Sequence, residues 1–264
     1  MKQAEYATNS HMNLILIFPE ELGSGGRVCL SDERAVHIRK VLRGEPGKML
    51  RVGLLNGPLG TGTIEDISKE TVLLSCEWEN EIPERPPIDL LLALPRPKVL
   101  KRLWAQFAAL GVGRIILTNA DKVERFYFDT HVLNPEFYTP RLVEGLQQAR
   151  DTLLPEVTVV RQLKPFIEDK LDSVFPRSEN RIVADPSGTQ NIFQCLEADG
   201  KEASRVLLAV GPEGGWTPYE LALLEDHGFE RFGMGLRILR TDTACIGLIS
   251  LLAQGLKERY NLSC

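Results

Sequence analysis

Two glycine-bearing turns near the carboxyl end hold the residues best placed to do chemistry. The first is Val210-Gly211-Pro212-Glu213-Gly214-Gly215-Trp216. The second is Gly235-Leu236-Arg237-Ile238-Leu239-Arg240-Thr241-Asp242-Thr243-Ala244. Each follows a short apolar run, and glycine lets backbone N–H and C=O groups approach a ligand with no Cβ in the way. The first turn leads into Thr217-Pro218-Tyr219-Glu220, a capping box with Thr217 at the N-cap and Glu220 at N3. A strand-to-helix turn that binds nothing would read the same way. Neither GxxxxGK[ST] nor GxGxxG is matched there, which counts against a phosphate loop or a dinucleotide fold. Glu213 could meet a ligand or be solvated. Arg240 stands just before a last helix that opens with Thr241 and Asp242. An arginine there can hold an anionic or polar substrate through its planar fork, or can simply flank a helix cap on the surface.

Charge is informative only locally. The 264 residues carry a formal charge of -5, so bulk charge predicts no nucleic-acid partner and local clusters must carry any such reading. There are two clusters. Arg34, Arg39, Lys40 and Arg43 precede Lys48 and Arg51, with His37 among them; Arg96, Lys98, Lys101 and Arg102 form the second. Such runs are ordinarily solvated helix faces, but they also suit a phosphate backbone. Four histidines show no metal spacing. Five cysteines are scattered without a CxxC pair, which reads as reduced, structural thiols of a cytosolic protein. No apolar run approaches the roughly 18 residues of a membrane span. The leader Met1–Met12 has no signal-peptide core, and Ser10-His11-Met12 reads as a cloning junction with Met12 as the natural start.

The elements that must position these residues fall into two halves. Asn13–Phe18, Lys48–Leu55, Gly60–Ile67 and Thr71–Trp78 read as strands. One helix interrupts them, capped by Ser31, running to about Arg43 and burying Ile38, Val41 and Leu42. A short barrel with one helix is the natural packing. Glu81-Ile82-Pro83-Glu84-Arg85-Pro86-Pro87 is a proline-rich connection. Beyond it, strands and helices alternate. The strands are Ile88–Leu94, Arg114–Thr118, Val157–Val160, Arg181–Ala184, Arg205–Val210 and Glu230–Gly233. The helices are Val99–Leu110, Pro135–Arg150, Ile192–Glu197, Thr217–His227 and Thr241–Tyr260. This pattern predicts an α/β fold with a largely parallel sheet, whose ligands sit outside the carboxyl ends of the strands.

Taken together, the motifs resemble the SPOUT methyltransferases and, more closely, the bacterial 16S ribosomal RNA uracil-N3 methyltransferase family. Ala35–Arg43 with Gly47 resembles H-I-x-x-V-L-R-x-x-x-G, and Leu110-Gly111-Val112 resembles the family's L-G-V. Gly211–Gly215 resembles G-P-E-G-G, and Gly235–Thr243 resembles L-G-x-R-I-L-R-x-E-T. The resemblance implies a PUA-like β-barrel RNA-binding domain over 12–82, a linker over 83–87, and a SPOUT α/β domain with a trefoil knot over 88–264. It implies a cytoplasmic homodimer, with the active site at the subunit interface, that uses S-adenosyl-L-methionine on 16S rRNA of the small ribosomal subunit.

By position, Ala184–Gly188, Val210–Gly215 and Gly233–Leu239 are the donor loops. Asp185, Val210, Gly211, Glu213, Gly215, Gly235, Leu236, Ile238 and Leu239 would hold the donor. Arg240 would stabilise the uracil anion, and Asp242 would take the N3 proton or orient Arg240. His37, Arg39, Lys40, Arg43, Arg96, Lys98 and Arg237 would grip RNA. No metal is expected.

Departures fall on the substrate side. Q-K-S-x-E-L-G reads Ala105–Gly111, losing a lysine at Gln106 and a glutamate at Ala109. S-E-R reads Ala120-Asp121-Lys122, and E-Q-x-x-R reads Gln147–Asp151. The final glutamate is shortened to Asp242. They leave open an RNA methyltransferase with another target, or a non-catalytic RNA-binding or ribosome assembly factor.

Overall fold

The computed structural model describes residues 14–177, 179–197, 205–235 and 237–260. The leader Met1–Met12 and Leu236 lie outside them. The chain divides into two compact units. One takes the chain up to Arg85 together with Val143–Leu154, and the other takes Pro86–Leu142 and Pro155 onward. The second half is therefore not continuous in its packing, because residues 143–154 group with the first unit.

The first unit is built on a five-stranded mixed sheet, ordered β1-β3-β4-β5-β2. The strands are β1 Ile15–Ile17, β2 Arg27–Leu30, β3 Met49–Leu54, β4 Leu59–Ile67 and β5 Val72–Trp78. β1 runs parallel to β3, and the other pairs are antiparallel. Alternate side chains from the sheet close over Ala35 and Ile38 of helix α1, Glu33–Lys40. Asp32, not Ser31, caps α1, its carboxylate accepting from the Arg34 N–H at 2.9 Å. The helix stops at Lys40 instead of Arg43. Arg43 takes φ 49°, and the Gly44 N–H turns back to the Ile38 carbonyl at 2.9 Å. Val41 consequently leaves the core and is 64% exposed.

The second unit carries a six-stranded, wholly parallel sheet ordered β11-β9-β10-β6-β7-β8. Its strands are β6 Ile88–Ala93, β7 Val112–Thr118, β8 Glu156–Val160, β9 Asn180–Ala184, β10 Val206–Val210 and β11 Phe229–Phe232. Its helices are α2 Pro97–Ala109, the part of α3 (Pro135–Ala149) up to Leu142, α4 Leu163–Pro165, α5 Leu171–Val174, α6 Ile192–Glu197, α7 Pro218–Asp226 and α8 Thr241–Tyr260. A π-turn, Phe166–Lys170, joins α4 to α5. β6 and β10 are buried along their whole length, as central parallel strands covered on both faces must be. One charge sits among them. Asp89 on β6 is fully buried; Arg205 reaches it at 2.6 Å and Arg114 at 3.8 Å. Burial raises its carboxyl pKa despite both cations.

The strand order brings the carboxyl ends of β9, β10 and β11 together. The chain after β9 crosses the chain after β11 backbone against backbone. A Cβ at Gly188 would fall under 3.0 Å from the backbone of Phe232 and Gly233, and one at Gly233 would do the same to the Gly188 carbonyl. Asp185 N donates to the Phe232 carbonyl and Gly233 N to that of Gln190, both at 3.0 Å. Only hydrogen fits at either position. Gly188→Ala is therefore expected to cost about 1–3 kcal/mol in urea unfolding, the usual range for forced overpacking.

The thiols have a separate consequence. Burial pushes Cys76 and Cys195 up to about 11 and Cys245 up to about 12, whereas Cys29 is exposed. Since the thiolate is the reactive form, a short pulse of a thiol reagent at pH 8, mapped by peptide, should label Cys29 and spare Cys76, Cys195 and Cys245.

Candidate functional site

Three loops leave the carboxyl ends of β9, β10 and β11 and enclose a cavity of about 380 Å³, within the roughly 300–1,000 Å³ of small-molecule sites. The first loop is an Asx turn. The Asp185 carboxylate accepts from Ser187 N at 2.9 Å and also from the Ser187 hydroxyl, while Asp185 itself lines the cavity.

The second loop, Gly211–Trp216, is braced from several directions. Gly215 takes φ 69° and bonds back to the Pro212 carbonyl at 2.8 Å. Lys122 Nζ donates to the Gly214 carbonyl at 2.7 Å, and Arg96 N donates to the Glu213 carboxylate at 3.1 Å. A Cβ at Gly211 would sit 3.2 Å from the Trp216 indole edge. The capping box forms as read. Glu220, only 5% exposed, accepts from Thr217 N at 2.8 Å and also from Asp121 N at 2.7 Å. Asp121 and Lys122, which the sequence places among departures on the substrate side, thus hold the glycine loop in place.

The third loop contributes Gly235, at φ 94°, then Arg237, Ile238 and Leu239 to the cavity wall. Ile238 is 89% exposed, so it forms a rim and not a floor. Thr241, Ala244 and Leu248 of α8 close one side. Val210, Gly211, Glu213, Gly215, Gly235, Ile238 and Leu239 therefore share one cavity with Asp185.

The expected catalytic pair divides. Arg240 is exposed and does not line the cavity; its carbonyl accepts the Ala244 N–H at 2.8 Å as α8 begins. The arginine on the cavity wall is Arg237. Asp242 does not orient Arg240, because its Oδ2 is bound by Arg102 of α2 at 2.5 Å and its Oδ1 accepts from Thr243 N at 3.0 Å.

Trp216 and Met234 also line the cavity, and sequence reasoning missed Thr241, Ala244 and Leu248 as its walls. The Trp216 indole N–H is buried with no partner among the described residues, which suits a ligand acceptor in the cavity. Gly211 gives the indole its room, and that glycine was the available signal. Among the described residues, no His, Cys, Asp or Glu group is arranged to hold a metal ion.

Of the remaining basic residues, Arg96 and Lys98 open α2 and are exposed. The others lie in the first unit. Lys40 and Arg43 are exposed, and Arg39 Nε donates to the Ala35 carbonyl at 3.2 Å. His37 lines a separate cavity of about 300 Å³ beside Gln147 and Arg34. Arg34 is committed to Glu21, to Asp32 at 2.7 Å and to the Leu16 carbonyl at 2.6 Å.

Comparison with known proteins places this architecture. The sequence pattern of the RNA methyltransferase domain family matches residues 83–253. Ribosomal RNA small subunit methyltransferase E of Treponema pallidum is 30% identical over 245 residues, 92% of this chain and 91% of that protein. Ribosomal RNA small subunit methyltransferase E 1 of Borreliella burgdorferi is 25% identical over 93% of this chain and 99% of its own length. The fold is that of ribosomal RNA small subunit methyltransferase E from Neisseria gonorrhoeae, solved bound to S-adenosyl methionine. That structure has a TM-score of 0.73 at 20% identity, over 92% of this chain and 98% of that one. With the pattern matched over most of its length and a relative 30% identical almost end to end, this chain belongs to the RNA methyltransferase domain family.

Proposed function

We propose that this protein methylates N3 of a uracil in 16S rRNA of the small ribosomal subunit, with S-adenosyl-L-methionine as donor. The observation that carries the reading is the single cavity shared by the three glycine loops, walled by Arg237 and bordered by the start of α8. The residues fit the donor. Gly211, Gly215 and Gly235 line it with no side chain in the way, the indole N–H of Trp216 lacks a partner among the described residues, and Met234 and Leu248 offer apolar surface. Asp185 and Glu213 add negative charge suited to a sulfonium or ammonium group.

When bound, the donor supplies an electrophilic methyl group on a positively charged sulfur. The protein must supply the rest. Uracil N3 carries a proton and becomes a good nucleophile only when that proton passes to solvent water and the charge spreads to O2 and O4. Arg240 has an exposed guanidinium with no acidic partner among the described residues, at the positive end of the α8 dipole. It is the group assigned to stabilise that charge. Both oxygens of Asp242 are already engaged, so its role is to fix the helix start. The target base is unstacked to reach the cavity, while His37, Arg39, Lys40, Arg43, Arg96, Lys98 and Arg237 supply grip on the phosphate backbone.

The same reading makes the first unit PUA-like and the backbone crossing at Gly188 and Gly233 part of a trefoil knot. It places the protein in the cytoplasm; no described helix is long and apolar enough to cross a membrane. It also makes the protein a homodimer, supported by exposed Ile246 and Leu251 on α8 and Phe193 on α6. Leu251→Glu should halve the mass seen by light scattering; an unchanged mass counts against this dimer face.

Arg240→Ala should lower single-turnover methylation of undermethylated small subunits by about a hundredfold or more, the scale of losing one preorganised charge partner. Donor affinity by calorimetry should stay within about twofold, because Arg240 stands outside the cavity wall. Mapping the product nucleoside by mass spectrometry tests the N3 assignment. A variant turning over at the wild-type rate removes Arg240 from the mechanism.

A further inference from the structure

Arg102 lies 140 residues before Asp242, yet its guanidinium meets the Asp242 carboxylate at 2.5 Å. The arginine side chain is 57% exposed and the aspartate 21%. Exposed pairs of this kind contribute little to stability and are screened by salt, so the value of the contact lies in geometry. Asp242 sits in the first turn of α8, directly after Thr241, whose side chain is buried against the cavity, and two residues after Arg240. Its second oxygen accepts the Thr243 N–H, one of the donors a helix start leaves unsatisfied. The carboxylate therefore joins α2 to the first turn of α8.

Charge explains why the join is needed. A helix N-terminus disfavours cations, and this one has Arg240 beside it and Arg102 reaching toward it. Asp242 offsets both. On α2, Gln106 lies one turn beyond Arg102 on the same exposed side of the helix, but it is neutral. The shorter acid at 242 thus takes its cation from position 102.

We infer that Arg102 is a positioning residue. Through Asp242 it clamps the first turn of α8 and so sets where Arg240 stands beside that helix start, without itself touching donor or RNA. The inference rests on the proposed reaction for its catalytic consequence, but the clamp is testable without turnover.

The experiment uses the full chain as Arg102→Ala, Asp242→Ala, the double variant and Arg102→Lys. In the first three, hydrogen exchange of the Arg240–Cys245 amides should rise several-fold, while exchange in the sheet and the melting temperature stay close to wild type. In single-turnover methylation of undermethylated small subunits, each alanine variant should lose about tenfold or more in rate, with donor Kd and substrate KM within about twofold. The double variant should be no slower than either single one, and Arg102→Lys should recover part of the loss. Unchanged exchange in Arg102→Ala, or rate losses that multiply in the double variant, overturns the clamp. If the wild-type protein fails to methylate 16S rRNA, the proposed function fails, and the exchange measurement still decides the clamp.

Discussion

The site depends on one steric constraint: two backbones pass so closely at Gly188 and Gly233 that neither residue can carry a side chain. That crossing holds the ends of β9 and β11 together. The parallel register of β9 with β10 then brings in the second loop, after β10. Once those strand ends converge, the cavity is an outcome of sheet order. The glycines of the second loop serve a different purpose. Gly211 makes room for an indole and Gly215 allows a left-handed turn. The same residue type thus does two jobs here, one of packing and one of backbone conformation.

Around this frame, ion pairing separates arginines tied to a carboxylate from those without one among the described residues. Arg34, Arg205 and Arg102 are each tied to a carboxylate. Arg237 stays on the cavity wall and Arg240 beside the start of α8. In a chain that is acidic overall, this division lets a local positive field exist at one rim. Net charge could not have revealed it, since it sums over cations that are already neutralised by neighbours.

What was legible in the sequence follows from the range of the forces involved. Helices α6 and α8, the cap at Thr217 and most strands of the parallel sheet are set by local pattern, and they stand within a residue or two of where the sequence puts them. β2 was missed because four residues give only two inward positions, Val28 and Leu30. The helical stretch from Leu163 to Val174 was missed because a proline at 165 reads as a breaker, yet Pro165 sits in the first turn with helical φ and ψ, and Leu163, Phe166, Ile167 and Leu171 keep a helical spacing. The glycine loops were recognisable as a site because their residue types are local. The partner of Asp242 was not, since it comes from another helix far back in the chain. For the same reason Arg237 and Arg240, three residues apart, could not be told apart as wall and border until the loop had a shape.

The buried carboxylate of Asp89 has a consequence for how the molecule is made. β6 pairs with β10 over Val206–Val210, and Arg205 neutralises Asp89 from the residue just before that strand. During synthesis, then, β6 emerges long before its neighbour exists, carrying an acid that has no cation on that side. Until the final third of the polypeptide is released, hydration of that acid opposes premature closure of the half-built layer, and its edge stays open to other chains. Closure of the parallel sheet around β6 thereby waits for β10 and the arginine before it.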